Sequence, residues 1–292
     1  MKINEEIYED FKHFHFSDAG LTQKKLLNFG RNLRYNYKLN AVFHPFALKM
    51  RMGFPRPRLI LAVGAENRIS TYGVRDIATS YIGLTKPKLY IMACDRYLSN
   101  MGKNDMIPDY VFFASPFAKG YSDETIYKIQ SILMNNPKIV IFASETANLS
   151  ELCLGMGFPN KIFLLQNIAM RMANDEQNLK LPFEGEHNQS LSYSQYITTT
   201  NGMVGYALQF LKAEKVFIYK SPYLSHVPVN RSDGVNWIKL ESKVLKNPLY
   251  TDISYIMGAK HLHRLCQRYG DRLVWLDRDD HFHKIMPGLL ED

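Results

Sequence analysis

Apolar residues fall along this chain in short unbroken runs, and the first begins just after Arg58. Leu59-Ile60-Leu61-Ala62-Val63 runs straight into Gly64. Comparable runs follow at 88–93, 108–114, 138–143, 161–165, 215–219 and 272–276. A short run with no polar alternation suits a strand buried on both faces, as in the middle of a parallel sheet. One such run cannot be told from a buried helix by periodicity, but seven of similar length favour strands. Helix-patterned stretches stand between several of them, at 122–135, 202–213 and 252–269. Strands alternating with helices predict an α/β fold with a doubly wound, mostly parallel, Rossmann-like sheet.

The pattern before residue 58 differs. Residues 3–18 read as a short helix or loosely held arm. Residues 21–37 read as a helix, with Leu26, Phe29 and Leu33 at helical spacing. The segment MGFPRPR at 52–58 carries two prolines and a glycine, which end any helix. The expected organisation is an N-terminal basic helical arm over 1–57 and a Rossmann-like domain over 58–292. Two polar or proline-broken stretches, 174–196 and 220–250, are expected to act as lids, since long loops inside compact domains tend to carry function.

Charge sharpens the picture of the arm. The chain carries a net charge of +8, and from Ala19 to Arg58 it has no acidic residue. Lys24, Lys25, Arg31, Arg34, Lys38, Lys49, Arg51, Arg56 and Arg58 alternate there with leucines and aromatics. That mixture suits an anionic partner such as a phospholipid surface, lipopolysaccharide phosphates or nucleic acid. A solvated basic helix face is the plainer alternative. Cys94, Cys153 and Cys266 form no CxxC pair, so neither a disulfide framework nor a zinc site is expected, and a reducing compartment fits. The start MKINEEIYEDFKHF lacks the apolar core of a signal peptide, and no run of about 18 apolar residues occurs. A cytoplasmic protein is expected, held at the inner membrane face through 19–58, with a homo-oligomer among its expected partners.

Ligands of an open parallel sheet bind beyond the carboxyl ends of its strands, near the reversal in strand order. The residues at those ends are therefore the candidates. Gly64, Asn67 and Arg68 follow the first run, Asp95 and Arg96 the second, and Ser115 the third. Tyr219 ends the sixth run, and Ser221 and Tyr223 follow it. Thr198-Thr199-Thr200-Asn201-Gly202 precedes a helical stretch. Its side chains can cap the helix and its N–H groups can hold a phosphate oxygen; a plain cap without ligand is the alternative. The chain has no G-x-G-x-x-G, no Walker lysine motif and no G-x-S-x-G elbow. For a general base, His226 stands closest in sequence to these strand ends, with His187, His261 and His263 as others. The run DRDDHFH at 277–283 holds metal-type ligands in a nonspecific pattern; a self-paired solvated loop is the favoured reading, and no metal is expected. Arg68 and Arg96 could each grip a phosphate or a sugar carboxylate in bidentate fashion.

Taken in order, VGAENRIS at 63–70, MACDRYL at 92–98, PDYVFFASPF at 108–117 and TTTNGMVGYALQFLKAEKVFIYKSPY at 198–223 resemble the bacterial sialyltransferase-like glycosyltransferases. That group takes in glycosyltransferase family 42, the domain of unknown function 115 and lipopolysaccharide Kdo transferases. The resemblance spans about 58–280 and rests on strand order and short motifs. It implies a domain that binds a cytidine nucleotide sugar without a further cofactor. Asn67 would lie near the phosphates or cytidine, Asp95 and Ser115 would replace two donor-contacting asparagines, Thr200, Asn201 and Gly202 would match a helix N-terminus, and Tyr219 and Tyr223 would face phosphate. The chain departs from the pattern at Glu66, which stands where phosphates are expected, and near Asn247, where the family's catalytic histidine has no counterpart. The expected activity is transfer of a sialic-acid-like or Kdo-type sugar from a CMP-sugar donor to a cell-surface glycan or lipooligosaccharide acceptor. Two alternatives are a Mg²⁺-dependent pterin or nucleotide pyrophosphokinase and a non-enzymatic binder of nucleic acid or anionic lipid.

Overall fold

The computed structural model describes residues 23–36, 42–43, 59–64, 88–103, 105–115, 120–152, 158–165, 198–209, 211–219, 221, 223, 238–240 and 248–276. In chain order these form α1 (Gln23–Asn36), β1 (Val42–Phe43), β2 (Leu59–Val63), β3 (Leu89–Cys94), α2 (Asp95–Asn100), β4 (Tyr110–Phe113), α3 (Asp123–Asn135), β5 (Val140–Ser144), β6 (Lys161–Leu165), α4 (Thr199–Gln209), β7 (Lys215–Tyr219), β8 (Ile238–Leu240), β9 (Leu249–Thr251), α5 (Ile253–Tyr269) and β10 (Leu273–Trp275). The chain divides into two compact units, one of Met1–Pro55 with Phe112–Tyr196 and one of Arg56–Val111 with Ile197–Asp292. Strand β4 runs across that division. Seven of the strands lie in parallel ladders, so the fold is α/β with a Rossmann-like parallel sheet flanked by helices, and all seven apolar runs are strands.

In the first unit β6 pairs with β1 on one side and β5 on the other, both parallel. Phe142 and Phe163 face each other in register with ring centroids 5.9 Å apart and are fully buried. Helix α3 starts at Ser122, whose hydroxyl accepts the Thr125 N–H, and buries Ile129 and Leu133. Helix α1 is fastened to the loop after β5 by two asparagines one turn apart. Asn32 Nδ2 donates to the Thr146 carbonyl, and Asn36 Nδ2 to those of Glu145 and Ala147, at 2.8–2.9 Å. Asn32, Leu33 and Asn36 are buried, whereas Arg31 and Arg34 are exposed. The helix expected over 21–37 is thus part of this unit, and β1 from the same basic stretch is a strand beside β6.

In the second unit the strand order is β3-β2-β7-β10, all parallel. Strand β2 is buried along its whole length, as its all-apolar sequence requires. Asp109 fastens the start of β4 to β3. Its Oδ2 accepts the Ile91 N–H at 2.9 Å, and its own N–H donates to the Ile91 carbonyl at 2.9 Å. Lys88 lies 3.1 Å from Asp109 Oδ1 and 4.1 Å above the Tyr90 ring, which stacks on Tyr110. Burial, with Asp109 and Tyr90 nearby, holds the Tyr110 phenol well above its ordinary pKa.

Two outcomes differ from the pattern reading. The helix expected over 202–213 begins earlier, at Thr199, because Thr198 supplies the cap and the threonines after it form the first turn. The stretch 220–250 includes two strands, β8 and β9, paired antiparallel from Ile238↔Thr251 to Leu240↔Leu249. Three-residue strands are too short for a period-2 pattern to register. The expected lid at 174–196 lies outside the described residues. No helix among the described residues is long and apolar enough to cross a membrane.

Candidate functional site

The second unit contains a reversal in strand order. From β2 the chain proceeds to β3 on one side, and later places β7 on the other side of β2. A crevice at the carboxyl ends of β2 and β7 is where such sheets take ligands. Gly64, the first residue beyond β2, donates its N–H to the Tyr219 carbonyl at the end of β7, at 3.0 Å. Two of the predicted residues therefore meet at the switch itself.

Helix α4 delivers its N-terminus to the same edge. Thr198 caps it: its hydroxyl accepts the Asn201 N–H at 3.3 Å, and its carbonyl accepts the first helical bond, from Gly202, at 3.1 Å. The N–H groups of Thr199 and Thr200 have no acceptor within the helix, by the geometry of any helix start. The first turn carries no acidic residue, unlike that of α3, which carries Asp123 and Glu124. A first turn without a carboxylate of its own leaves the positive end of the helix dipole uncompensated from within the helix. Thr200 Oγ1 donates to Ser221 Oγ at 3.2 Å, which ties this turn to the segment leaving β7. Both hydroxyls are buried.

Asn201 and Tyr223 have a different task. Asn201 is fully buried, and both polar atoms of its side-chain amide have partners within the protein. Nδ2 donates to the Gly258 carbonyl of α5 at 2.9 Å, and Oδ1 accepts the Tyr223 hydroxyl at 3.2 Å and the Thr198 hydroxyl. The Tyr223 ring is buried edge-on to Tyr255 and Trp275. Its carbonyl accepts the Thr251 hydroxyl at 2.9 Å. Asp252 follows, buried, and caps α5 by accepting the Tyr255 N–H at 2.9 Å. Asn201 and Tyr223 thus brace the start of α4 against α5 through groups bonded to each other.

The other predicted residues distribute as follows. Asp95 is the first residue of α2, just beyond β3, and is buried. Ser115 belongs to the first unit, where its carbonyl accepts the Asn148 N–H at 2.9 Å. His261 is buried on α5, where burial, with Arg264 nearby, lowers its pKa to about 4 and keeps it neutral. His263 shares a hydrogen bond with Gln267 at 3.1 Å. Asn67, Arg68, His187, His226 and the 277–283 run lie outside the described residues. Among the described residues no group of three or more His, Cys, Asp or Glu could hold a metal ion. Sequence reasoning missed Thr251, Asp252 and Gly258. A glycine inside a helical pattern was the signal for the last, and an aspartate before an apolar periodic run the signal for Asp252.

No protein-family model matches this chain, and no curated protein does.

Proposed function

We propose that this protein is a glycosyltransferase that moves a sialic-acid-like or Kdo-type sugar from a CMP-sugar donor to a cell-surface glycan or lipooligosaccharide acceptor. The observation that carries the reading is the neutral, threonine-capped N-terminus of α4 at the strand-order switch, tied to the end of β7 through Thr200 and Ser221. The donor's phosphate would lie on the Thr199 and Thr200 N–H groups, where backbone donors and the helix dipole favour negative charge. Cytidine would extend along the β2 edge near Gly64 and Asn67. The resemblance of the 58–280 motifs to sialyltransferase-like enzymes narrows a phosphate site to this donor class; the fold alone would not.

The chemistry is a single displacement. The acceptor oxygen bonds to the anomeric carbon while the bond from that carbon to the phosphate oxygen breaks. The acceptor proton passes to a base, for which His226 is the candidate, and CMP leaves with the electron pair, stabilised by the helix N-terminus. On the same reading, exposed Arg31 and Arg34 of α1 face an anionic inner-membrane surface and bring the enzyme to a lipid-linked acceptor.

Thermal unfolding with CMP, CDP, UDP, GDP, ADP and ATP in turn tests the proposal. A ligand that binds only the folded state stabilises it by about 2.7 kcal/mol at a concentration 100 times Kd. Stabilisation by CMP above the other nucleotides is expected. Stabilisation by ATP alone with Mg²⁺ would replace the reading with a pyrophosphokinase-like activity. Salt-sensitive RNA binding with no nucleotide effect would replace it with a binding protein.

A further inference from the structure

The two helices of the second unit that follow the strand-order switch meet at Gly258. A Cβ placed on this residue would stand 2.7 Å from Thr198 Cγ2, 2.8 Å from Tyr223 Cε1 and 3.0 Å from Asn201 Oδ1. These three neighbours are the cap of α4, the residue beyond β7 that bonds Asn201, and the third residue of α4. The Gly258 carbonyl also accepts the Asn201 side-chain N–H. Glycine is a poor helix former beside alanine, so its presence in the second turn of a 17-residue helix answers to its neighbours rather than to the helix.

We infer that Gly258 is a positioning residue for the phosphate-binding turn: its missing side chain lets the start of α4 seat directly on α5, which fixes where the Thr199 and Thr200 N–H groups stand at the β2–β7 edge. The identity of the ligand rests on the proposed function; the seating itself does not. With alanine at 258 the nearest contact must open from 2.7 to about 3.4 Å, a shift of roughly 0.7 Å shared between the cap, Tyr223 and α5. Hydrogen bonds to a bound phosphate depend steeply on distance and angle, so a displacement of that size weakens them. The other anchors of the seat are the Tyr223 hydroxyl on Asn201 and the Thr251 hydroxyl on the Tyr223 carbonyl.

The test compares CMP binding by calorimetry in the full chain and three variants. Gly258→Ala is expected to melt cooperatively and to bind CMP at least about tenfold more weakly, as displaced binding groups do. Gly30→Ala is the control, since nothing stands within 4 Å of a Cβ there, and it should bind CMP as the parent does. Thr198→Ser combined with Gly258→Ala should recover part of the affinity, because serine keeps the capping hydroxyl and removes the Cγ2 that alanine meets first. Amide hydrogen exchange at Asn201 and Gly202, both bonded to Thr198, reads the seat without ligand and should quicken in Gly258→Ala. Should that variant fail to fold, Thr251→Val loosens the same seat with no added atom, and the same weakening is expected. Parent-like CMP affinity together with unchanged exchange in Gly258→Ala overturns the inference. If the parent itself binds no CMP, the proposed function fails, and exchange at Asn201 and Gly202 alone decides the role of Gly258.

Discussion

Asn201 in the first turn of α4 donates through its side-chain Nδ2 to the backbone carbonyl of Gly258 in α5, at 2.9 Å, while its side-chain Oδ1 accepts the Tyr223 hydroxyl. One buried amide thus joins two helices and the segment leaving β7. Asn201→Ala would remove one buried hydrogen bond from the Gly258 carbonyl and one from the Tyr223 phenol. The expected loss is about 2–4 kcal/mol, at the upper end for a buried polar deletion, read from urea denaturation. Asn201→Asp keeps the acceptor but loses the donor toward Gly258, so it should be no milder.

Tyr223→Phe isolates the hydroxyl. The ring keeps its edge contacts with Tyr255 and Trp275, at 6.1 and 5.7 Å between centroids, and Asn201 Oδ1 keeps the Thr198 hydroxyl. The loss should be about 0.5–1.5 kcal/mol. Tyr223→Ala removes the buried ring as well and should cost about 3–5 kcal/mol. Denaturation midpoints of the two variants separate these terms, and equal losses would refute the division.

Gly30→Ala should stabilise the protein by about 0.5–1 kcal/mol. The residue lies inside α1, its added methyl meets nothing within 4 Å, and alanine restricts the unfolded chain. A fall in the melting temperature would mean that the α1 face at Gly30 is packed.

His261 makes stability depend on acid. Its folded pKa lies near 4, below the value of about 6.5 for an unfolded chain, with burial the larger cause and Arg264 the smaller. Above pH 6.5 both states leave it neutral and the full stability is present. Between 6.5 and 4 the unfolded chain binds a proton that the folded protein does not, so stability falls as pH drops, by up to roughly 3 kcal/mol. In His261→Leu that part of the decline should vanish. Unfolding free energies at pH 7 and pH 5 check it, and an equal drop in both proteins would exclude His261 as the source.

Lys88 and Asp109 look like one ion pair but should behave unequally. Lys88 is 64% exposed, so Lys88→Ala should cost less than about 1 kcal/mol, and the effect should shrink with salt. Asp109 also accepts the N–H of buried Ile91, so Asp109→Ala should cost about 1–3 kcal/mol and depend little on salt. A double-mutant cycle at two ionic strengths measures both.

The strands were legible because burial on both faces demands unbroken apolar runs, as in Leu59–Val63 and the four residues of β6 that follow Lys161. Strand β1 was not, since two residues amid a basic stretch carry no pattern; only its pairing with β6 makes it a strand. In the candidate site, Gly64, Thr200 and Ser221 could be found because strand ends and caps have local signatures. The bracing role of Asn201 could not. Its partners lie 57 and 22 residues away, and sequence spacing holds no trace of an amide satisfied at that distance.

The strand order also dictates when this sheet can close. Leu59 of β2 pairs with Lys215 of β7, a separation of 156 residues (215 less 59), whereas Leu59 pairs with Leu89 only 30 residues on (89 less 59). During synthesis β2 and β3 emerge early, and the far edge of β2, wholly apolar, must wait for β7. Contacts this remote in sequence slow folding, and an open hydrophobic strand edge invites pairing with other chains in the meantime. The same reversal in strand order should therefore make the nascent chain prone to aggregate, and the polypeptide should refold slowly and in lower yield as its concentration rises.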